Sequence, residues 1–213
     1  MPVDGVWAVV VAGGTGSRFG GPKQFATLAG RPLVEWSLDT ARKLCEGVVL
    51  VLPGGTPGEW DADRVVSGGL TRSASVRAGL AAVPDGADVI VVHDAARPLA
   101  GEALWKAVID AVEEGADGAI PACPLTDTIK RKTPQGVVVT LDRSELFAVQ
   151  TPQAFRAQAL KEAHAGGDDA TDDAALVEAA GGRVALIDGE RHNIKVTTPT
   201  DLLVAEALSK ERG

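Results

Sequence analysis

Short apolar runs alternate along this chain with longer stretches whose apolar residues recur at helical spacing. Val6 to Ala12 is too short for a helix and rich in β-branched valine, which predicts a first strand buried on both faces. Pro32 then opens Leu33 to Leu44, apolar at helical spacing with proline in the first-turn position, and Gly47 reads as the end of that helix. Val48 to Leu52 is a second strand, and Pro53 to Gly58 a surface loop. Val65-Val66 is a short strand before Ser67-Gly68-Gly69, after which Thr71 or Ser73 can cap a helix running through Ala82. Asp88 to Asp94 is a further buried strand ending in a charge, followed by a helix from about Gly101 to Glu114 and a strand at Ala119 to Ala122.

That alternation predicts an α/β fold, a mainly parallel doubly wound (Rossmann-like) sheet between helices, in a single domain over residues 1–213. Residues 124–149 break the rhythm. Thr128 to Lys132, the turn Pro134-Gln135-Gly136 and Val137 to Leu141 read as an antiparallel β-hairpin, an added arm suited to packing on another subunit as a dimerisation element. Helices near 156–165 and 171–180, a strand from Arg183 to Ile187, an extended Asn193 to Thr198 and a C-terminal helix opened by Pro199 complete the chain.

The first strand runs into Ala12-Gly13-Gly14-Thr15-Gly16-Ser17-Arg18-Phe19-Gly20-Gly21-Pro22-Lys23-Gln24, with five glycines in nine residues and two cations. Bare glycines let backbone N–H groups close on an anion, and fixed charges neutralise it, so the stretch reads as a phosphate cradle. A turn alone would not need Arg18 and Lys23. Neither familiar template fits. Phe19 stands where a dinucleotide fingerprint needs its third glycine, Leu52-Pro53 replaces the acid that such a site wants, and Pro22 and Gln24 break the P-loop pattern.

Ligands of an open parallel sheet sit beyond the carboxyl ends of its strands. The cradle, the Gly68-Gly69 turn with Ser75, and Asp94 with Arg97 collect there. Asp94 is a candidate for Mg²⁺, which takes one or two protein carboxylates plus substrate phosphates; as an alternative it caps a helix or pairs with Arg97. His93 points to the opposite face from Asp94 and reads as structural. Lys195 either meets an anion or snorkels at the surface. No Ser-His-Asp spacing suggests an acyl-transfer triad and no His/Cys cluster suggests zinc. Cys45 and Cys123, each among apolar neighbours, read as small buried hydrophobes.

A net charge of −8 over 213 residues argues against a nucleic-acid footprint, so the local cations serve small anions. With no basic-then-apolar start and no run of membrane-spanning length, the expectation is a soluble cytoplasmic protein without a membrane partner.

The cradle with Pro22-Lys23-Gln24 resembles the signature of the sugar-nucleotidyltransferase superfamily. Val92-His93-Asp94-Ala95-Ala96-Arg97-Pro98, Asp127-Thr128-Ile129-Lys130, Gln150-Thr151-Pro152-Gln153, Thr171-Asp172 and Asn193-Ile194-Lys195-Val196-Thr197 narrow the resemblance to the 2-C-methyl-D-erythritol 4-phosphate cytidylyltransferase family, in order from about residue 6 to 206. The resemblance implies transfer of CMP from CTP to the polyol phosphate, with pyrophosphate released, in non-mevalonate isoprenoid precursor synthesis. Arg18, Lys23 and Lys195 would be catalytic at the phosphates. Ala12, Gly13, Gly14, Gly16, Gly69 and Ser75 would hold CTP, Asp94 would ligate Mg²⁺, and Arg97, Asp127, Thr128, Arg143, Thr151 and Thr171 would surround the acceptor. A homodimer is implied, with Thr128 and Arg143 reaching the partner's site. His192 departs from the acid that many members carry before Asn-Ile-Lys, and the loop is compact between Gly20 and Pro22. The alternatives are a ribitol-5-phosphate cytidylyltransferase and a non-catalytic nucleotide-binding module.

Overall fold

The computed structural model describes residues 2–14 and 16–210. The strands are β1 (Val3–Val11), β2 (Thr27–Leu28), β3 (Arg31–Pro32), β4 (Cys45–Leu52), β5 (Arg64–Ser67), β6 (Val89–Asp94), β7 (Gly118–Pro124), β8 (Lys130–Lys132), β9 (Val138–Thr140), β10 (Phe147–Val149), β11 (Gln153–Arg156) and β12 (Val184–Asp188). The helices are α1 (Leu33–Leu44), α2 (Arg72–Leu80), α3 (Glu102–Glu113), α4 (Ala157–Ala165), α5 (Asp173–Ala179) and α6 (Pro199–Lys210). Among the described residues no helix is long and apolar enough to cross a membrane.

The main sheet runs β10-β7-β11-β6-β1-β4-β5, with β12 also paired to β7. β5, β4, β1 and β6 are mutually parallel, and β12 is parallel to β7. Because both faces carry helices, the central strands are apolar throughout rather than alternating. Val10, Leu50 and Val91 face α1 and α3, whose Leu38 and Trp105 join that core; Val9, Val51 and Val92 face the other way, toward Val76 of α2, Leu160 of α4 and Val177 of α5. A smaller cluster packs Leu28, Leu33 and Leu99 with Val196 and Ala205, tying α6 beside the first loop.

Thr71 caps α2, its hydroxyl accepting from the Ala74 N–H at 3.0 Å. Gly47 does not end α1. The helix stops at Leu44 and the chain turns directly into β4, where Gly47 lies opposite Trp7 and a Cβ would sit 2.4 Å from the indole. Gly47 is therefore a close-approach glycine inside a strand.

The parallel pattern is interrupted once on the main path. β10 and β11 run one after the other antiparallel along β7, Phe147 opposite Pro124 and Ala154 opposite Ala119, and β11 separates β7 from β6. Between β7 and β10 the chain makes the separate two-stranded sheet of β8 and β9, in the register Lys130 with Thr140. This is the expected hairpin. Asn193 to Thr198 forms no strand; Val196 bonds the Ala96 carbonyl at 2.8 Å and leads into α6.

Candidate active site

The register pairs Val11 with Asp94, so the glycine loop leaves β1 beside the carboxyl end of β6. A cavity of about 380 Å³ opens there between Ala12, Gly13, Gly14 and Lys23 on one side and Gly69, Ser75, Asp94 and Lys195 on the other. A second, of about 250 Å³, adjoins it and is lined by Arg97, Thr151 and Thr171. Arg72, Asp94 and Lys195 line both. A larger groove, about 720 Å³, lies at the amino ends of β1 and β6 by Asp4, Asp88 and Arg156 and contains none of the expected site residues.

The loop closes on Gly16. Its carbonyl accepts the N–H groups of Phe19, Gly20 and Gly21 at 2.8, 3.0 and 3.2 Å. Its φ is +66° and a Cβ would lie 1.8 Å from the Gly21 carbonyl oxygen, so only glycine fits. Thr15 lies outside the described residues. Lys23 follows, its ammonium donating to the Val196 carbonyl at 2.8 Å. Burial and the nearby Lys195 charge hold the Lys23 pKa below the ordinary lysine value. Arg18 is exposed and lines neither cavity, although its charge acts on Lys23.

On the opposite wall the Ser75 hydroxyl accepts from the Gly69 N–H at 3.1 Å and donates to the Thr71 carbonyl at 2.9 Å, holding the second glycine turn against α2. The Asp94 N–H donates to Thr151 Oγ1 at 3.0 Å. Its carboxylate is met twice, Oδ1 by Arg72 Nε at 3.1 Å and Oδ2 by Lys195 Nζ at 2.5 Å. Burial pushes the Asp94 pKa up, but Arg72 and Lys195 outweigh it and hold the group well below the usual carboxylate range. Lys195 thus meets an anion, and that anion is Asp94. Arg97 does not pair with Asp94; its guanidinium donates to the carbonyls of Asn193 and Val149 at 2.7 and 3.2 Å.

His93 is fully buried on the other face of β6, between Thr151 Oγ1 and the Arg97 carbonyl and tilted over Trp105. Burial lowers its pKa to about 4. Asp127, Thr128 and Arg143 are exposed on the arm and line neither cavity, Arg143 donating to the Thr126 carbonyl. Cys45 is buried as expected, whereas Cys123 is half-buried at the end of β7, near the Gln150 amide at 3.6 Å.

Arg72 was not among the expected residues. It is the first residue of α2 and also donates from Nη1 to Asp173 Oδ2 at 2.8 Å. Asp173 is fully buried, and His164 Nε2 lies 3.0 Å from its other oxygen. Burial disfavours the Arg72 charge, yet Asp94 and Asp173 together raise its pKa above the ordinary value. The only local hint was an arginine just after the cap of the second glycine turn.

Among the described residues no three His, Cys, Asp or Glu side chains converge on a metal position. One carboxylate beside the glycine loop still matches Mg²⁺ chemistry, in which substrate oxygens and water supply most ligands.

The family described as IspD: 2-C-methyl-D-erythritol 4-phosphate cytidylyltransferase matches residues 6–211. The chain is 43% identical over 228 residues to the 2-C-methyl-D-erythritol 4-phosphate cytidylyltransferase of Rubrobacter xylanophilus, covering 99% of this chain and 97% of that protein. It is 42% identical to a bifunctional enzyme IspD/IspF of Nitratidesulfovibrio vulgaris over 94% of its own length, and spans 57% of that protein. The crystal structure of 2-C-methyl-D-erythritol 4-phosphate cytidylyltransferase from Thermus thermophilus superposes with a TM-score of 0.83 at 36% identity, covering 95% of this chain and 98% of that one.

Proposed function

The chain belongs to the 2-C-methyl-D-erythritol 4-phosphate cytidylyltransferase family, and we propose that its adjoining cavities hold CTP and the polyol phosphate on either side of the Asp94 carboxylate. The reaction moves CMP from CTP to 2-C-methyl-D-erythritol 4-phosphate and releases pyrophosphate, a step in isoprenoid precursor synthesis. The observation that carries the residue assignment is the shared wall: the same Asp94, Arg72 and Lys195 bound both cavities.

In this reading the triphosphate lies along the Gly13–Lys23 loop, and Ala12, Gly13, Gly14, Gly69 and Ser75 enclose the rest of the nucleotide, with Gly16 setting the loop. An oxygen of the acceptor phosphate forms a bond to the α-phosphorus of CTP as the bond to the β-phosphate oxygen breaks, and the electron pair leaves with pyrophosphate. No covalent enzyme intermediate is required. Such transfers ask the protein for positioning and charge stabilisation. Lys23 and Lys195, which both line the first cavity, supply positive charge where negative charge develops, and Arg18 adds to it from the loop surface. Arg97, Thr151 and Thr171 line the acceptor side. Mg²⁺, held by Asp94 and substrate oxygens, would neutralise phosphate charge.

We assign the arm to a homodimer contact. Supporting this, Val137, Val138, Val139, Phe147 and Val149 are exposed apolar residues on or beside it, and Asp127, Thr128 and Arg143 sit there rather than at their own chain's cavities. Light scattering that returned a monomer would remove this assignment.

The assay is pyrophosphate release from CTP and Mg²⁺ with 2-C-methyl-D-erythritol 4-phosphate or ribitol 5-phosphate. Release with the first substrate alone is expected. Release with ribitol 5-phosphate alone would move the acceptor reading to that substrate, and nucleotide binding without release from either would leave a binding module.

A further inference from the structure

We propose that Arg72 is a positioning residue for the transfer reaction, acting through Asp94 on the orientation of the carboxylate between the two cavities. The inference rests on the reading of Asp94 and Lys195 given above and deepens it.

The two partners of Asp94 differ in kind. Lys195 is a flexible side chain on a segment outside helix and strand, its side chain 41% exposed, and Asp94 is the acceptor of its ammonium. Arg72 is a planar fork whose other arm is fixed at Asp173, which has no solvent exposure and is itself held from α4 by His164. A rigid guanidinium anchored at one end dictates where its other nitrogens lie. Asp173 on α5 therefore sets the place of Arg72 Nε, and through it the place of Asp94 Oδ1, which is hydrogen-bonded at 3.1 Å. Oδ2 is left as the exchangeable oxygen. When a phosphate draws Lys195 away, Arg72 keeps Asp94 in its plane with Oδ2 facing the cavity.

Charge points the same way. Lys195, Asp94, Arg72 and Asp173 form an alternating row in which the two cations balance the two carboxylates. Without Arg72 the row would carry a net negative charge beside a triphosphate site. Lysine would restore that charge but cannot span both carboxylates as a fork.

Two substitutions separate geometry from charge. Arg72→Lys keeps the charge and loses the fork; Asp173→Asn keeps Arg72 and loosens its rear anchor at nearly constant volume. Each is expected to lower kcat by about 10- to 100-fold, the scale of a misplaced catalytic group, while the calorimetric Kd for CTP with Mg²⁺ moves less than about threefold. In Arg72→Ala, added millimolar guanidinium is expected to recover part of kcat, which a merely structural role would not allow. If Arg72→Ala fails to fold, the other two variants decide. Asp94→Asn and Lys195→Ala run alongside. If both keep wild-type kcat, the reading of the site itself fails. If they are impaired while folded Arg72→Lys and Asp173→Asn stay within about twofold of wild type, the role of Arg72 alone is overturned.

Discussion

Replacing Gly16 with alanine should damage catalysis far more than stability. The new Cβ would lie 1.8 Å from the Gly21 carbonyl oxygen and 3.1 Å from the Lys23 nitrogen, both backbone atoms that no side-chain rotation can move away. The positive φ of +66° adds about 1–2 kcal/mol for an L side chain. The turn relaxes by opening, which gives up hydrogen bonds from Phe19, Gly20 and Gly21 to the Gly16 carbonyl. Gly20 is exposed and Phe19 and Gly21 are half-buried, so water can replace the lost partners once the turn opens and the net cost stays near 1–2 kcal/mol, or about 2–8 °C in Tm for a chain of this size. Opening also moves Lys23. A misplacement of about 1 Å at a reacting centre costs about a hundredfold in rate, near 2.7 kcal/mol. Pyrophosphate release gives kcat/KM and calorimetry gives Tm on the same preparation. Gly21→Ala is the control, because a Cβ there meets nothing within 4 Å and its φ is not positive. Gly16→Ala within about threefold of wild type in kcat/KM, or an equal loss in Gly21→Ala, would refute the role given to the loop.

Lys23→Ala and Lys195→Ala should each lower kcat by about 10²–10³-fold, the usual cost of one charge-stabilising contact, with the far-ultraviolet dichroism unchanged; near wild-type turnover in either removes it from the site. His93 is held neutral, its pKa lowered from 6.5 to about 4, so the unfolded chain binds a proton in that interval that the folded chain refuses. Stability is then complete above about pH 6.5 and falls by about 3 kcal/mol toward pH 4, at 1.36 kcal/mol per pH unit. Asp94, with its pKa depressed below 3.8, adds a loss in the same direction at lower pH. Denaturant midpoints should show a flatter acid limb in His93→Gln, and parallel limbs would contradict this. Burial pushes the Cys45 thiol up to about 12, so iodoacetamide at pH 8 should label Cys123 in the folded protein and both cysteines only after unfolding. Labelling of native Cys45 would count against its burial.

The glycine loop after β1, α1 and the strand ending at Asp94 are legible because each is a local pattern: valine runs, helical spacing, a glycine cluster. β10 and β11 are not. Phe147-Ala148-Val149 and Gln153-Ala154-Phe155-Arg156 are short, Pro152 stands between them, and what makes them strands is pairing with β6 and β7. The Arg72 network was hidden for the same reason. Its partners lie 22 and 101 residues away, a separation that no spacing rule spans. Gly47 misled because glycine after a helical run ordinarily ends it, whereas here it makes room for Trp7. Sequence alone allows Lys195 an anion or the surface, and the fold decides by bringing it to Asp94.

The pairing of Phe147 with Pro124 has a topological consequence. Both ends of the arm stand in register on neighbouring strands of the main sheet, so everything between them is an excursion that leaves and returns at one place. The excursion can be lengthened, shortened or replaced by a tight turn without re-threading β11 or moving Thr151. The part of the molecule assigned to a partner is in this sense a topologically separate module, its two strands forming a sheet of their own.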